Sequence, residues 1–493
     1  MLQPFHKEAI PVEVLVVARE LILKGHQAYL VGGCVRDLIL GRSIKDWDIT
    51  TNATPEKILE IFPDSVYENE FGTVGVKTDS GNAITEIVEV TTFRKEGRYT
   101  DKRHPDEVVF TTALEDDLSR RDFTVNAMAL EVTKDGLGEL VDVFEGQVDL
   151  TARVMRTVGK AEDRFEEDAL RLMRGVRLAT ELDFQIDMET RRAIEKKAGL
   201  LEMISKERIR DEFQKMMMTE RAAAGVILLE ELDLLRYVLP ELREGLGVGQ
   251  NKHHIYTVFE HNVRALDYSA REGYSLTVRL ASLLHDVGKP KTKRGEGPDC
   301  TFYNHDIVGA KMTVAILERL KFSKKIITDV AHLVRFHMFY YNVGEVSDAG
   351  VRRFLNRVGP ETVPDLIKLR EADRIGSGVP KAVPYKLRHF LFMIEKVKMD
   401  PVSPKMLKIN GEDVMRILSL KPGPKVGFIL NILLEEVLDD PKRNMSEYLE
   451  KRAVELNKED EKQLSEIARK AKEKKEEFES GVEEEMKKKY YVK

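Results

Sequence analysis

Cysteine is scarce in this 493-residue chain, which has only Cys34 and Cys300. Two thiols so far apart in the sequence form no disulfide framework, so we expect a reducing compartment and predict a cytoplasmic protein. Long apolar runs are also absent, since no stretch approaches the ~18 apolar residues of a membrane helix. The short run Val14–Val17 lies between Glu13 and Arg19, which is typical of an amphipathic helix and not of a signal peptide. We therefore expect no membrane partner.

A large excess of charge of one sign is missing as well. The formal net charge is −6, which argues against a protein that coats nucleic acid through bulk charge. An RNA partner would have to bind a local basic face. Hydrophobic residues make up 42% of the chain and charged residues 33%, enough to bury a core and remain soluble. The length predicts about three or four domains.

Two kinds of periodicity divide the chain. Runs of β-type residues between Gly and Asp or Asn turns predict five short strands. These are Tyr29–Val31, Asp48–Thr50, Thr73–Lys77, Ile87–Thr92 and Val108–Thr111. From Ala161 onward, apolar residues recur at helical spacing, as at Leu228, Leu232 and Leu235. The pattern predicts an α+β fold, with a mixed α/β head followed by an elongated all-helical neck and body.

Five segments are predicted. They are a head at 1–155, a helical neck at 156–225, a body domain at 226–378, a C-terminal helical unit at 379–455 and a charged tail at 456–493. Closely spaced glycines and prolines between Arg374 and Pro384 mark the boundary after the body domain. Glu-to-Lys pairs four residues apart favour a solvated surface helix, or a frayed tail without a site, for the last segment.

A glycine turn and two carboxylates stand out in the head. Because Gly32 and Gly33 lack a Cβ, a triphosphate can approach the backbone amides of the helix that follows, although a plain structural turn is the alternative. Strand alternation then places Asp46 and Asp48 on one face. Paired carboxylates call for a cation, and Mg²⁺ prefers oxygen ligands. Two such ions activate a hydroxyl and hold a leaving pyrophosphate.

A third carboxylate usually completes such a cluster. Glu89 is the first candidate and Glu86 the alternative, because they face opposite ways and the spacing does not decide between them.

These motifs occur in a familiar order. L-V-G-G-x-V-R-D-x-x-x-G, D-x-D, E-V-T-T-F-R and R-R-D-F-T-x-N-A-M-A together resemble the class II tRNA nucleotidyltransferase and poly(A) polymerase family, from Tyr29 to about Met217. The resemblance implies addition of nucleotides to RNA without a template. The nucleotide-binding residues it implies in the head are Gly32, Gly33, Arg36, Arg121, Asp122 and Asn126. Asp122 would accept the ribose 2′-hydroxyl hydrogen, and the Arg121 guanidinium would match phosphate oxygens.

The neck carries the family's E-D-x-x-R-x-x-R motif. The resemblance implies that Asp168, Arg171 and Arg174 of this motif bind the nucleotide. Asp168 and Arg171 are three residues apart, which places them on one helix face. A carboxylate and a guanidinium match the amine and acceptor that cytosine and adenine share, whereas uracil and guanine would leave an unpaired acceptor against the carboxylate. The resemblance thus implies that two side chains replace a template base.

Two further segments bear on which nucleotides are added. In the family, the loop that corresponds to Lys95–Pro105 helps to reshape the pocket from C to A, which argues against an enzyme that adds only cytidines. Bacterial poly(A) polymerases carry an Arg-Arg-Phe run that Phe71–Val76 lacks. We therefore predict a CCA-adding enzyme that uses CTP, ATP and tRNA. An A-adding enzyme or a poly(A) polymerase is the alternative.

The body contains a second constellation. His261, the doublet His285–Asp286 and Asp373 resemble the HD phosphohydrolase superfamily, an all-helical fold. Imidazole and carboxylate ligands suit divalent Mn, Ni or Co, or Mg with more oxygen ligands. His305 and His337 lie between the doublet and the last aspartate and are candidates for a second metal. Hydrolysis and a non-catalytic docking scaffold both remain open for this domain.

Two alternative hypotheses concern the function of the whole chain. One is a metal-dependent HD phosphohydrolase with a head that only binds RNA, and another is a non-catalytic RNA-binding scaffold. Near the C-terminus, Leu407–Asp413 and Lys421–Gly427 resemble the family's RNA-binding segment, with amides of the Pro-Gly turn as phosphate donors. Packing of two helices across that turn is the alternative.

Overall fold

The computed structural model describes residues 9–69, 72–97, 107–251, 255–398 and 407–492. The chain divides into two compact units, the first comprising Met1–Met338 with Pro364–Ala382 and the second Phe339–Val363 with Val383–Lys493. Among the described residues, no helix has both the length and the hydropathy to cross a membrane.

The first unit begins with a mixed sheet. The strands are β1 Ala28–Val31, β2 Asp48–Thr51, β3 Val66–Asn69, β4 Thr73–Lys77, β5 Ile87–Thr92, β6 Arg94–Glu96, β7 Val108–Phe110, β8 Ala129–Thr133, β9 Gly136–Val141, β10 Val154–Met155 and β11 Gln185–Ile186. Seven of them form one sheet in the order β3-β4-β5-β2-β1-β8-β9, in which β2 and β5 run parallel and the other neighbours antiparallel. The five predicted strands, β1, β2, β4, β5 and β7, are confirmed to within one residue at either end.

Helices dominate the rest of the first unit. They are α1 Val12–Leu23, α2 Gly33–Leu40, α3 Pro55–Ile61, α4 Leu114–Ser119, α5 Gly146–Ala152, α6 Ala161–Glu167, α7 Leu170–Leu182, α8 Met188–Lys197, α9 Lys206–Met217, α10 Ala222–Glu231, α11 Leu235–Val238, α12 Pro240–Arg243, α13 Val258–Arg271, α14 Leu276–Leu284, α15 Lys289–Thr292, α16 His305–Arg319, α17 Lys324–Phe336 and, after α18 of the second unit, α19 Val363–Gly376. The predicted α/β head and helical body are therefore confirmed.

The amphipathic N-terminal helix packs on the head core. In α1, Val14, Val17 and Leu21 are buried, while Val12 is 70% exposed. The core that α1 joins contains the sheet residues Leu30 and Ile49 and also Trp47. Since Trp47 points into this core, the residues on either side of it turn towards solvent, which is the alternation predicted from the sequence.

Helix caps fix the two helices that begin the body's second constellation. Thr257 and Glu260 form a reciprocal capping box at the start of α13, with Thr257 Oγ1 accepting the Glu260 N–H. Ser275 caps α14 in the same way by accepting the N–H of Val278. His261 therefore lies in the first turn of α13.

The second unit is helical. It contains α18 Asp348–Val358, α20 Tyr385–Lys398, α21 Gly411–Leu418, α22 Pro424–Asp439, α23 Ser446–Leu456 and α24 Glu461–Tyr490. Residues 339–363 belong here, although the sequence assigned them to the body domain at 226–378. Ring packing explains the difference, since the rings of Phe339 and Phe354 each lie 5.2 Å from that of Phe390 in α20. The predicted charged tail is helix α24, which buries Leu464 and Ala468 against its own unit.

Candidate functional site

A polar cleft of about 830 Å³ opens beside the head sheet, and we call it the head cleft. Six residues predicted from the sequence line it: Gly33, Arg36, Asp46, Asp48, Asn126 and Arg174. Basic residues that the sequence analysis did not single out line it as well, including Arg42, Lys45, Arg177, Lys215 and Arg221. The cleft therefore combines two adjacent acids with many cations, a composition that suits a metal-bound polyphosphate.

The glycine turn lies between the acids and an arginine. Gly32 has φ of +81°, and a Cβ on it would approach Arg121 Nη1 to 2.9 Å and Asp48 Oδ2 to 3.5 Å. Only glycine is therefore accommodated without strain. The Gly32 amide donates to the Met128 carbonyl (3.4 Å), so the amides left to meet a phosphate are those in the first turn of α2.

The two acids interact electrostatically. Asp46 is exposed and Asp48 half-buried at the start of β2. Burial raises the pKa of Asp48 above its usual value, Arg121 lowers it, and the charge of Asp46 raises it again. The register pairs Asp48 with Glu89 on parallel strand β5, so both side chains point to one face of the sheet.

This register favours Glu89 over Glu86, which precedes β5. Among the described residues, however, groups of three potential ligand atoms within 4.8 Å of each other occur only in the body domain. The three head carboxylates therefore form no closed triad in this conformation.

A chain of charged hydrogen bonds connects the head to the neck. Asp122 is buried and accepts from Arg174 through Nε (2.8 Å) and Nη2 (2.6 Å). It also accepts from Asn126 Nδ2 (3.2 Å), and Asn126 Oδ1 accepts from Arg36 (2.7 Å). Burial alone would raise the pKa of Asp122, but Arg174 and Arg171 hold it well below its usual range. Asp122 is therefore ionised and places Arg174 at the cleft.

The neck residues Asp168 and Arg171 do not lie on one helix, which corrects the predicted shared helix face. Asp168 is extended after α6, and its carboxylate accepts the N–H of Leu170 at the start of α7 (3.0 Å). Such a local side-chain bond competes with continuation of the helix and explains the break. Asp168 also pairs with Arg208 (2.9 Å), while the buried Arg171 donates to Glu167 (2.8 Å).

Neither Asp168 nor Arg171 lines the head cleft, although both act on residues close to it. Asp168 contributes to raising the pKa of Arg174, and Arg171 contributes to lowering that of Asp122. Recognition of a base by this pair remains a prediction.

Two buried carboxylates that were not predicted from the sequence hold arginines in or near the cleft. Asp117 is fully buried and accepts from Arg120 (2.7 Å) and from Arg121 (3.3 Å). Burial alone would raise the pKa of Asp117, but these two arginines lower it. Glu212, on α9, accepts from Arg177 (2.5 Å). Both acids lie in runs of charged residues. Because such a run is also typical of a solvent-exposed surface, the sequence does not indicate that these two acids are buried.

The second constellation is a closed group of six residues in the first unit, which we call the histidine cluster. Its members are His261, His285, Asp286, His305, His337 and Asp373. Asp286 is 1% exposed and lies at the centre of the group. Its Oδ2 lies 3.1 Å from His261 Nε2 and 3.4 Å from His285 Nε2. Its Oδ1 lies 3.3 Å from His305 Nε2 and 3.6 Å from His337 Nε2.

The geometry therefore gives two sets of ligands that share Asp286. Asp373 Oδ1 joins the first set, 3.3 Å from His261 Nε2. Every residue predicted for this site is brought together.

Backbone carbonyls fix the tautomers of three imidazoles. The Nδ1 atoms of His285, His305 and His337 lie 2.9, 2.7 and 2.7 Å from the carbonyls of Ser282, Phe302 and Val334. A carbonyl only accepts, so each Nδ1 carries a proton, and each ring in its neutral form presents its lone pair at Nε2. The Nε2 atoms of His305 and His337 face each other at 3.3 Å. Two facing lone pairs repel unless a cation lies between them, so this donor set fits divalent metal ions.

Charged neighbours surround the cluster. Lys289 Nζ lies 2.5 Å from Asp286 Oδ2 and donates to Gln250 (2.6 Å). Burial would raise the pKa of Asp286, but Lys289 and the histidines keep it well below its usual range. Burial lowers the pKa of His337, which keeps that ring in its neutral, ligating form. Both Asp286 oxygens are buried, and neither accepts a hydrogen bond of regular geometry in the described residues. Because Oδ2 is paired with the Lys289 ammonium, Oδ1 is the oxygen that is left more open to a metal ion.

Residues 98–105 of the loop Lys95–Pro105, and Phe71 of the segment Phe71–Val76, lie outside the described residues. The base of the loop is the hairpin of β6 and β7, closed by the Gly97 N–H donating to the Glu107 carbonyl (2.9 Å).

Comparison with known proteins matches three family models to the first 376 residues. The Poly A polymerase head domain covers residues 28–156, the probable RNA and SrmB-binding site of polymerase A covers 183–246, and the HD domain covers 258–376. The matched head domain contains Asp46 and Asp48 of the head cleft, and the matched HD domain contains the histidine cluster, whereas Arg174 and Arg177 of the cleft lie between matched segments.

Curated relatives and a solved structure are similar over most of the chain. A CCA-adding enzyme of Enterococcus faecalis is 34% identical over 455 residues, which are 90% of this chain and 94% of that protein. An A-adding tRNA nucleotidyltransferase of Deinococcus radiodurans is 41% identical over 336 residues, 65% of this chain and 75% of that protein. The Bacillus stearothermophilus CCA-adding enzyme in complex with CTP is similar with a TM-score of 0.59 and 29% identity, covering 90% of this chain and 97% of that chain.

Proposed function

This chain belongs to the tRNA nucleotidyltransferase and poly(A) polymerase family, and from that premise we propose that it adds C, C and A to the 3′ end of tRNA. CTP and ATP are the substrates, and pyrophosphate leaves. The observation that carries the proposal is the arrangement of Asp48, Gly32 and Arg121, in which an acid and a guanidinium both lie close to a glycine turn that begins a helix.

Each group has a part in this chemistry. Asp46 and Asp48, with Glu89 alongside, would hold Mg²⁺, which would supply charge neutralisation and activation of the tRNA 3′-hydroxyl. Arg121 and the first-turn amides of α2 bind phosphate oxygens. Asp122 accepts from the ribose 2′-hydroxyl and holds Arg174 towards the base. Asp168 and Arg171 read the base after exchanging their present partners, Arg208 and Glu167.

The test uses purified protein and three tRNAs that end before CCA, after CC, and with CCA complete. CTP and ATP are supplied separately and together. CCA addition predicts that the first tRNA gains all three nucleotides and that the complete tRNA gains none. The Deinococcus relative makes an A-adding enzyme the specific alternative. In that case only the tRNA ending in CC would be extended, and only by ATP. A poly(A) polymerase would extend the complete tRNA.

We further propose that the histidine cluster is a dinuclear metal centre that hydrolyses a phosphoester. The shared carboxylate of Asp286, with two imidazoles near each of its oxygens, supports two divalent ions about 3.5–4 Å apart. Mg, Mn, Ni and Co are the candidate metals. A 2′,3′-cyclic phosphate or a terminal phosphate on RNA is the proposed substrate, because its removal prepares a damaged end for nucleotide addition.

Hydrolysis of the cyclic ester adds water to phosphorus and breaks one ribose P–O bond, with a proton passing to the ribose oxygen. The test begins with metal analysis of the purified protein, followed by hydrolysis assays with each added metal. The His285→Ala and Asp286→Ala variants are expected to lose metal and hydrolysis but to retain CTP and ATP addition. A protein with no transition metal and no hydrolysis under any of these metals would leave the domain a scaffold.

A further inference from the structure

The histidine cluster lies in a pocket of about 740 Å³ that extends beyond the proposed metal ligands. Four of the proposed metal ligands line it, namely Asp286, His305, His337 and Asp373. Tyr303 also lines it and is 74% exposed. The four ligands are at most 8% exposed. One pocket thus contains both a buried metal-binding group and a solvent-facing aromatic ring, and its volume is in the range of small-molecule sites.

The local backbone holds Tyr303 and a metal ligand in one rigid turn. Phe302 is buried, and its carbonyl fixes the Nδ1 of His305 (2.7 Å). Asn304, between Tyr303 and His305, has φ of +63°, a left-handed conformation that asparagine tolerates better than most residues. The turn therefore buries Phe302, exposes Tyr303 and places His305 at the first residue of α16. The exposed ring of Tyr303 is therefore attached to the same short turn as a buried metal ligand.

Polar groups suited to a sugar and a phosphate line the same pocket. The Oδ1 atom of Asn251 is buried without a hydrogen-bond partner among the described residues. It is an acceptor for a hydroxyl or an amine of a ligand. Arg374, which follows the ligand Asp373 directly, supplies a guanidinium to the lining.

We propose that this pocket binds a nucleotide, with its base stacked on Tyr303 and its phosphate at the histidine cluster. The substrate class is therefore a nucleoside phosphate, as at the 3′ end of an RNA, and not phosphoesters in general. This inference rests on the hydrolysis proposed for the cluster. Stacking of a base on an aromatic side chain contributes about tenfold or more to binding and tolerates any base, because each base has a π-face.

The experiment compares two substrates that share the cyclic phosphate but differ in the base. These are 2′,3′-cyclic CMP and glycerol 1,2-cyclic phosphate, tested with the metal-loaded full-length protein. The variant Tyr303→Ala is expected to raise KM for cyclic CMP about tenfold with kcat nearly unchanged, and to leave the glycerol ester unaffected. Tyr303→Phe keeps the ring and should behave as the wild type. Tyr491→Ala, which removes another exposed tyrosine outside this pocket, is the matched control.

Two results would overturn the inference. Equal losses on both substrates in Tyr303→Ala would mean that the ring supports the turn and not a base. A loss of kcat in Tyr303→Phe would make the hydroxyl a catalytic group. If the wild type hydrolyses neither substrate, the proposed hydrolysis fails, and equilibrium binding of cyclic CMP to the wild type and Tyr303→Ala decides the base site. Tenfold weaker binding in the variant would support it, and equal binding would contradict it.

Discussion

The head cleft and the histidine cluster differ in how far their charged groups are exposed to solvent. In the head, Asp46 is exposed and Asp48 half-buried, and the cleft around them is open and rich in cations. In the cluster, Asp286 and the four imidazoles are buried, and three of the rings are fixed by backbone carbonyls. The head is thus arranged to take in metal together with a charged substrate, whereas the cluster is arranged to retain resident metal ions.

The supports of the two sites differ accordingly. Arginines in and beside the head cleft are held by buried carboxylates, as Arg174 in the cleft is by Asp122 and Arg121 near Gly32 is by Asp117. Each such pair keeps a guanidinium in place while leaving part of its fork for phosphate. In the cluster, neutral carbonyls set the tautomers without adding charge, so the ligands keep their full affinity for a cation.

The largest expected effect separates the two sites. Asp48→Asn keeps the shape of the side chain but removes a metal-binding charge, so we expect nucleotide addition to fall by about 10³-fold or more, with tRNA affinity within a few-fold. Asp46→Asn should behave similarly. Hydrolysis of 2′,3′-cyclic CMP should be unchanged in both, because neither acid lies in the histidine cluster.

The reciprocal variant Asp286→Asn is the matched control, and it should lose hydrolysis while retaining addition. Addition that survives Asp48→Asn would remove the head as the catalytic site. That result would favour the alternative hypothesis of a phosphohydrolase with an RNA-binding head.

The next largest effect concerns the buried support of the head. Asp117→Asn leaves Arg120 and Arg121 without their carboxylate, and loss of one partner of a buried ion pair costs about 3–5 kcal/mol in the free energy of unfolding. The pKa of Asp117 is lowered in the folded state, so its contribution is present above the unfolded value near 3.8 and is lost as pH falls through the folded pKa.

Urea unfolding of wild type and Asp117→Asn at neutral pH should therefore differ by several kcal/mol, and the difference should shrink below about pH 4. Asp116→Asn alters the half-buried neighbouring acid that pairs with Lys95 and is the control. A difference that does not change with pH would indicate a packing effect and not the ion pair.

Features with a local sequence signal were predictable, whereas features that depend on tertiary contacts were not. Strands such as Ile87–Thr92 were predicted because β-branched residues and turns are local signals. The choice between Glu89 and Glu86 was not local, since it depends on strand β5 lying parallel beside β2. The ligands of the histidine cluster were predicted from their order, although they come from five separate helical segments.

The helix break at Asp168 and the packing of residues 339–363 depend on contacts that residue spacing does not indicate. Asp168 and Arg171 suit one helix face by spacing, but the Asp168 carboxylate captures the Leu170 N–H and ends the helix. Residues 339–363 lie within the body domain by sequence, yet Phe339 and Phe354 pack on Phe390 of the second unit. Long-range packing decides such cases, and no residue near the segment signals it.

A moderate effect is expected on the choice of nucleotide. Arg171→Ala should lower discrimination against UTP and GTP by about 10-fold or more while changing tRNA affinity less, because a mismatched base would no longer leave a buried group unpaired. The measurement is kcat/KM for each of the four nucleotides on one tRNA. Arg191→Ala, which removes a half-exposed arginine paired with Glu195, is the control.

An unchanged nucleotide preference with a slower rate would show that Arg171 only supports the neck. Its buried hydrogen bonds to Glu167 and to the Arg120 carbonyl would then be its role, and Arg174 at the cleft would become the residue to test for base recognition.

The smallest expected effect tests whether the two sites are mechanically joined. Arg279, in the first turn of α14, is 4% exposed and has no carboxylate partner among the described residues. Its guanidinium donates to the carbonyls of Met217 (2.8 Å) and Thr219 (2.7 Å) at the end of α9, and also to that of Tyr274 (2.8 Å). Thr219 lines the head cleft, while α14 leads directly into His285.

Arg279→Lys keeps the charge, but a single ammonium cannot satisfy carbonyls on several sides as a planar fork does. We expect KM for CTP and ATP to rise a few-fold, because the end of α9 loses its anchor, while hydrolysis at the cluster stays near the wild-type rate because His285 is also held by the Ser282 carbonyl. Arg271→Lys, at an exposed arginine of α13, is the control. Equal losses at both sites would mean that Arg279 stabilises the first unit as a whole, and no change at either would mean that the two sites are mechanically independent.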